Sequence, residues 1–289
     1  VPQKERGAMI WGTPSTGISY GLALSTGQGK NNNEVVAAKA KNDLIGRVTV
    51  NVAEILDRKD AVFHLGGAFS EGELPAISGL TQRTEARGIT FFNTAAFTGQ
   101  DVKRSRFGAE VALAWGPVKL QAEYVDANFK GTSATGADYD RDIRANYIEA
   151  LWLVTGERYA DAYRAGTFGR ISPASNFFLG SAGWGAWEVG LRLSHFDASD
   201  FTASNVAGTG VLAAPAAGAG VPSATVLANK ASARSLGVKW ILTPNMKFYL
   251  NHIVTKFDTP ITVNPNYGGL AAFATDTEKA VTLRAAFDF

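Results

Sequence analysis

The chain has no cysteine, which excludes a disulfide framework, a thiol nucleophile and a cysteine zinc site. It does not exclude an oxidising compartment. Histidine is almost as scarce: His64, His195 and His252 lie far apart, without metal-ligand spacing. There is no Gly-x-Ser-x-Gly elbow and no serine–histidine pairing of the kind a barrel lipase needs. An enzyme is therefore not expected, and no metal or cofactor is implied. Charged residues make up only 19% of 289, and the formal net charge of +2 is too small to argue for nucleic acid. A helix-forming transmembrane run is missing too. Phe201 to Asn229 carries no charge, but Pro215, Pro222 and four glycines break a helix there. That stretch reads as a long loop. If the chain lies in a membrane, a closed barrel is the way left to it.

Alternation is abundant. In Val281-Thr282-Leu283-Arg284-Ala285-Ala286-Phe287-Asp288-Phe289 the odd positions are apolar and the even ones polar or small. A strand has period two, so one face is apolar and the other carries Thr282, Arg284 and Asp288. A closing strand of an outer-membrane barrel needs this pattern, with its apolar face in lipid. A final Phe289 also resembles the assembly signal of outer-membrane proteins, read by the barrel assembly machinery. The same alternation recurs in Ile18–Ser25, Leu44–Val52, Phe63–Ser70, Arg106–Trp115, Val118–Tyr124, Trp187–Ser194, Leu236–Leu242 and Phe248–Thr255. Connections alternate in length as well. Thr13 to Gly17, Asp57 to Asp60, Gly116-Pro117 and Thr243 to Asn245 are short and carry turn chemistry. Thr26 to Lys41, Gly72 to Lys103, Asn128 to Asp140, Ser199 to Asn229 and Thr259 to Asp276 are long. Short turns at one end and long loops at the other belong to outer-membrane barrels. One connection, residues 155–185, falls on the short-turn side and yet is long.

That connection and its flanks carry a family resemblance. Leu151-Trp152-Leu153-Val154-Thr155-Gly156-Glu157-Arg158-Tyr159, Gly166-Thr167-Phe168-Gly169-Arg170-Ile171-Ser172-Pro173 and Gly185-Ala186-Trp187-Glu188-Val189-Gly190-Leu191-Arg192-Leu193-Ser194 resemble the phosphate-selective porin O and P family. The Pro244-Asn245-Met246-Lys247 turn fits as well. The resemblance implies a sixteen-stranded, trimeric, passive channel in the outer membrane of a Gram-negative bacterium. It does not by itself imply phosphate. Counting back from Phe289 gives eleven strands, near 6–12, 18–25, 43–56, 61–71, 103–115, 118–128, 142–154, 186–198, 231–242, 246–258 and 277–289. A barrel that begins and ends in the periplasm needs an even number. The expectation is thus an all-β transmembrane antiparallel barrel, residues 1–289 forming one domain that lacks about five N-terminal strands.

Alternation places Arg47, Arg106, Lys119, Arg192, Lys239, Lys247 and Arg284 toward the lumen, with Glu110, Glu123, Glu188 and Asp288. The bland expectation is that these charges pair across strands on a wet wall. The sharper one is that an excess of basic residues favours anions. Residues 72–103 form a candidate inward-folded loop. The family's equivalent loop implies an arginine ladder, to which Arg83 and Arg87 would contribute. In an extended segment these two, four apart, would share a side, and their guanidinium forks suit phosphate oxygens. The anion pathway is thus assigned to Arg83, Arg87, Arg106, Arg192, Lys239 and Arg284. The expected function is passive diffusion of small hydrophilic solutes, anions preferred, with phosphate or polyphosphate as candidates. The alternative is a plugged barrel with a structural role that presents surface loops. Expected partners are outer-membrane lipid, small anions, two further copies in a homotrimer and the assembly machinery.

Overall fold

The computed structural model describes residues 7–25, 42–74, 77, 79–180, 182–214, 223–264 and 271–288. The chain is all-β. Its strands are β1 (Gly7–Ser15), β2 (Ile18–Ser25), β3 (Asp43–Asn51), β4 (Ala61–Leu74), β5 (Thr81–Arg83), β6 (Thr90–Asn93), β7 (Gly99–Trp115) and β8 (Val118–Ser133). They continue as β9 (Asp138–Leu153), β10 (Tyr163–Arg164), β11 (Thr167–Phe168), β12 (Ala186–Asp197), β13 (Ser223–Val226), β14 (Lys230–Thr243), β15 (Met246–Asn264) and β16 (Phe273–Phe287). A single helical turn, α1 (Val52–Ile55), joins β3 to β4, and a 3-10 turn spans Tyr159–Ala162.

Eleven of these strands form one antiparallel meander, in the order β1-β2-β3-β4-β7-β8-β9-β12-β14-β15-β16. Each neighbour is the next long strand in sequence, which two-residue turns and long loops both permit. Among the described residues β1 pairs only with β2, and β16 only with β15, so the sheet is not closed. The register is regular over long stretches, for example Trp187↔Trp240 through Asp197↔Lys230.

The two faces of the meander are inverted relative to a water-soluble sheet. One, here called the outer face, exposes Leu22, Val48, Leu65, Leu113, Leu120, Ile148, Leu191, Leu236 and Leu250. At its ends Trp115 is 73% exposed, and on β16 Leu283 is 76% exposed. A soluble sheet would bury such a face; this one is built for an apolar solvent. The other, inner face carries the polar partners, including Asp43, Thr49, His64, Lys119 and Glu188, all buried. Every sequence strand is present, but the one expected over 43–56 ends at Asn51, where α1 takes over, and two loops are shorter than expected. β8 and β9 run on to a turn at residues 134–137, because Lys130, Asp138 and Asp140 continue the alternation as a polar ladder. Likewise β15 extends to Asn264 and β16 starts at Phe273. The 199–229 loop contains β13, which pairs with β15 and β6.

Two segments fold onto the inner face from opposite ends. From the long-loop end comes the β5–β6 hairpin. It is held by a buried cluster of Phe91, Phe92, Phe97, Phe129, Phe201 and Phe257. From the short-turn end comes the 155–185 connection, whose 3-10 turn and β10–β11 hairpin pack on a second, smaller cluster with Leu153, Tyr159 and Tyr163.

Candidate pore-lining site

The wall between the two segments is a lattice of paired charges. Arg47 Nε donates to Glu110 at 2.9 Å. Lys239 Nζ donates to Glu188 at 2.6 Å. Lys119 Nζ lies 3.7 Å from Glu149. Arg104 bonds Asp43, and Arg106 lies 3.7 Å from the same carboxylate while donating to Ser70 Oγ at 2.7 Å. Lys247 pairs with Asp288 at 3.4 Å. The strand register explains this: Glu188, Lys239, Tyr249 and Arg284 stand side by side on β12, β14, β15 and β16. Arg284 ends that row. Its guanidinium lies 5.7 Å from the Tyr249 ring, and among the described residues it has no carboxylate partner.

The β5–β6 hairpin brings its tip to this wall. Glu85 accepts from Ser194 Oγ at 2.6 Å and from Ser235 Oγ at 2.7 Å. It lies 3.6 Å from Arg192. Arg192 is stacked 3.7 Å over the Tyr147 ring, with Glu149 at 3.8 Å. Tyr147 donates to Glu123 at 2.6 Å and accepts from Gln121 at 2.8 Å. Between hairpin and wall lies a cavity of about 390 Å³, lined by Arg83, Glu85, Glu123, Tyr147, Arg192 and Ser194 among others.

Arg83 and Arg87 do not share one side of an extended segment. Residues 84–88 form a tight turn between them, with Arg87 at φ 56 and its N–H donating to the Thr84 carbonyl at 2.8 Å. Arg83 folds back and donates to the carbonyls of Arg87 and Gly88. Its guanidinium therefore caps its own turn. Arg87 stands exposed at the tip, without a carboxylate partner among the described residues.

The short-turn segment makes polar contacts across several strands. Tyr163 Oη and His64 Nδ1 share a hydrogen bond of 2.7 Å. Tyr159 Oη donates to Glu188 at 2.8 Å. Arg47 donates to the Gly166 carbonyl at 3.1 Å, and Ser19 Oγ to the Ala165 carbonyl at 3.3 Å. Lys119 Nζ sits 4.6 Å from the Phe168 ring. Farther on, Arg170 reaches Asn245 at 3.2 Å and Asp288 at 3.6 Å. Gly166 approaches the wall closely. At φ 80, a Cβ there would meet Thr49 Oγ1 at 2.3 Å and Ser19 Oγ at 2.7 Å, so only glycine fits. Burial pushes the Tyr163 phenol up to about 12; burial, with the Glu188 carboxylate beside it, raises that of Tyr159 as well.

Of the six residues assigned to the anion pathway, Arg106, Arg192, Lys239 and Arg284 all lie on the inner face. Arg106, Arg192 and Lys239 each have a carboxylate nearby. Phe289 lies outside the described residues. Sequence reasoning missed Glu85, Tyr159 and Tyr163. His64 lies on the inner face, buried beneath the hairpin.

This arrangement defines a class: an all-β wall whose exposed face is apolar and whose inner face is charged and partly filled from both ends. The chain belongs to the phosphate-selective porin O and P family, whose model matches residues 62–289. A looser likeness is to the anion-selective porin from Comamonas acidovorans, at 13% identity and a TM-score of 0.44. It covers 96% of this chain and 58% of that porin, so the chain spans less than two thirds of its length. No curated protein matches the chain.

Proposed function

We propose that the chain forms the wall of an outer-membrane porin of a Gram-negative bacterium, a passive channel for small hydrophilic solutes that prefers anions. The observation that carries this reading is the inverted sheet, with exposed large apolar residues on one face of the long strands and charge networks on the other. Only lipid outside and water inside satisfy both faces. In lipid the unpaired edges of β1 and β16 need partners, which the sixteen strands and three copies implied by the family would supply. The anion preference rests on Arg87 and Arg284, two exposed inner arginines without a carboxylate partner among the described residues. A cation in a narrow, partly dehydrated passage acts at lower dielectric than in bulk, so two of them outweigh charges already paired. Phosphate is one candidate solute.

A second reading, a plugged structural barrel, draws on the two segments that fill the interior. Single-channel recording in a planar bilayer separates the two. Stepwise conductance with a reversal potential on the anion side of zero supports the porin. Insertion without conductance supports the plug.

A further inference from the structure

The 155–185 connection begins on the inner face and ends on the outer one. After the hairpin the chain passes the strand ends and reaches the outer face of β14. There the Phe177 N–H donates to the Leu242 carbonyl at 2.8 Å, and the Phe177 ring meets Trp240 edge-on at 4.9 Å. Trp240 Nε1 donates to the Trp184 carbonyl at 2.8 Å. Trp240 in turn stacks on Trp187 at 5.2 Å and lies 6.2 Å from Phe248. This is an aromatic band at the short-turn end, within two residues in register of Trp115 and Trp152.

Between Phe177 and Trp184 the chain turns at Leu179-Gly180, with Gly180 at φ 85. Phe178, Leu179 and Trp184 are 59%, 94% and 73% exposed. No charged residue occurs from Ile171 to Trp187. Large apolar side chains gain free energy on leaving water, so an uncharged, aromatic-rich turn that projects all three suits an apolar medium.

We propose that this turn is a membrane anchor: Phe178, Leu179 and Trp184 insert at the headgroup–acyl boundary of the leaflet on the short-turn side. The occupant is lipid because the turn continues the outer aromatic band without a break. Tryptophan also favours that depth, where its ring is apolar and its N–H finds polar partners. The connection is then held at both ends, by the Tyr163–His64 hydrogen bond inside and by the bilayer outside. The inference rests on the barrel reading, and the test below separates the two.

The absence of cysteine allows single-site labelling of the otherwise native chain. A spin label is placed at Leu179→Cys, and separately at Phe178→Cys, in protein reconstituted into phosphatidylcholine–phosphatidylglycerol vesicles. Collisions with oxygen, which concentrates in lipid, are compared with those of a water-soluble nickel chelate. Leu283→Cys is the lipid-facing control. Lys59→Cys, on a side chain 89% exposed in the α1–β4 turn, is the aqueous control. At both anchor positions the oxygen-to-nickel ratio shifts from the aqueous control toward the lipid control. An aqueous ratio at both overturns the anchor and leaves the barrel standing. Labels shielded from both probes overturn it in favour of a protein contact. A Leu283→Cys label that reads as water overturns the barrel reading and the anchor with it.

Discussion

The two segments that enter the interior are held by opposite physics. The β5–β6 hairpin is fastened by a dry cluster of phenylalanines, with Phe91 edge-on to Phe196 at 5.6 Å and Phe92 edge-on to Phe201 at 5.6 Å. Its tip makes polar contact with the wall through Glu85. The 3-10 turn and β10–β11 hairpin have a small apolar base and are fastened by hydrogen bonds to the side chains of His64, Glu188 and Arg47. Hydrophobic packing holds a segment without using charge, so the first leaves Arg87 exposed at its tip, without a carboxylate partner among the described residues. Polar fastening consumes charge, and around the second hairpin Arg47, Lys119 and Lys239 are occupied. On the proposed reading, selectivity falls to Arg87 of the first segment together with Arg284 of the wall, and mainly occlusion and bracing to the second.

Removing the dry fastening should have the largest effect. Phe92 is 1% exposed, and Phe92→Ala in such a cluster costs about 3–5 kcal/mol through lost burial and a cavity. Expected is a hairpin that trypsin cuts at Arg83 or Arg87 in the folded protein, with noisier and larger conductance. Resistance equal to the parent would show that the Glu85 contacts suffice.

At the second segment, Gly166→Val puts a side chain on a backbone at φ 80 and against Thr49. Backbone strain of about 1–3 kcal/mol, plus the clash, should lift the hairpin from the wall. Conductance rises while the reversal potential keeps its sign. Tyr163→Phe is milder: it leaves the buried His64 nitrogen without its partner, at a cost of about 1–3 kcal/mol. It should shorten hairpin protection in hydrogen exchange without altering selectivity.

A pH dependence sharpens the contrast further. The folded Tyr163 phenol sits at about 12 against an ordinary 10.0. A raised phenol stabilises the folded segment fully below the ordinary value, and that contribution is lost as pH rises between the two. Conductance through the second segment should stay level at neutral pH and increase reversibly above about pH 10. Tyr163→Phe should remove much of that increase. The β5–β6 hairpin, with no tyrosine in its turn, should not respond.

The wall was legible in the sequence because two solvents impose it. Lipid on one side and water on the other force period two on every strand, and all eleven strands follow from it. The pairing of Lys239 with Glu188 follows in the same way, since register aligns them. The interior was less legible. Tyr159, Tyr163 and Phe168 obey no period, because a hairpin docked on a curved wall is fixed by that wall's shape. The Arg83–Arg87 geometry was misread as extended although Arg87-Gly88 follows Thr84, whose hydroxyl accepts from the Gly88 and Ile89 N–H groups. A threonine followed four residues later by glycine was the available turn signal. Glu85 could be found only after the turn had been placed.

The proposal that Arg87 and Arg284 set selectivity stands or falls on one measurement: the zero-current potential of single channels across a potassium chloride gradient, for the parent protein and for Arg87→Glu combined with Arg284→Glu. The parent should reverse on the anion side. The double variant should move toward the cation side, more at low salt, where screening is weak. A double variant that reverses where the parent does would contradict the account and return selectivity to the paired charges of the wall.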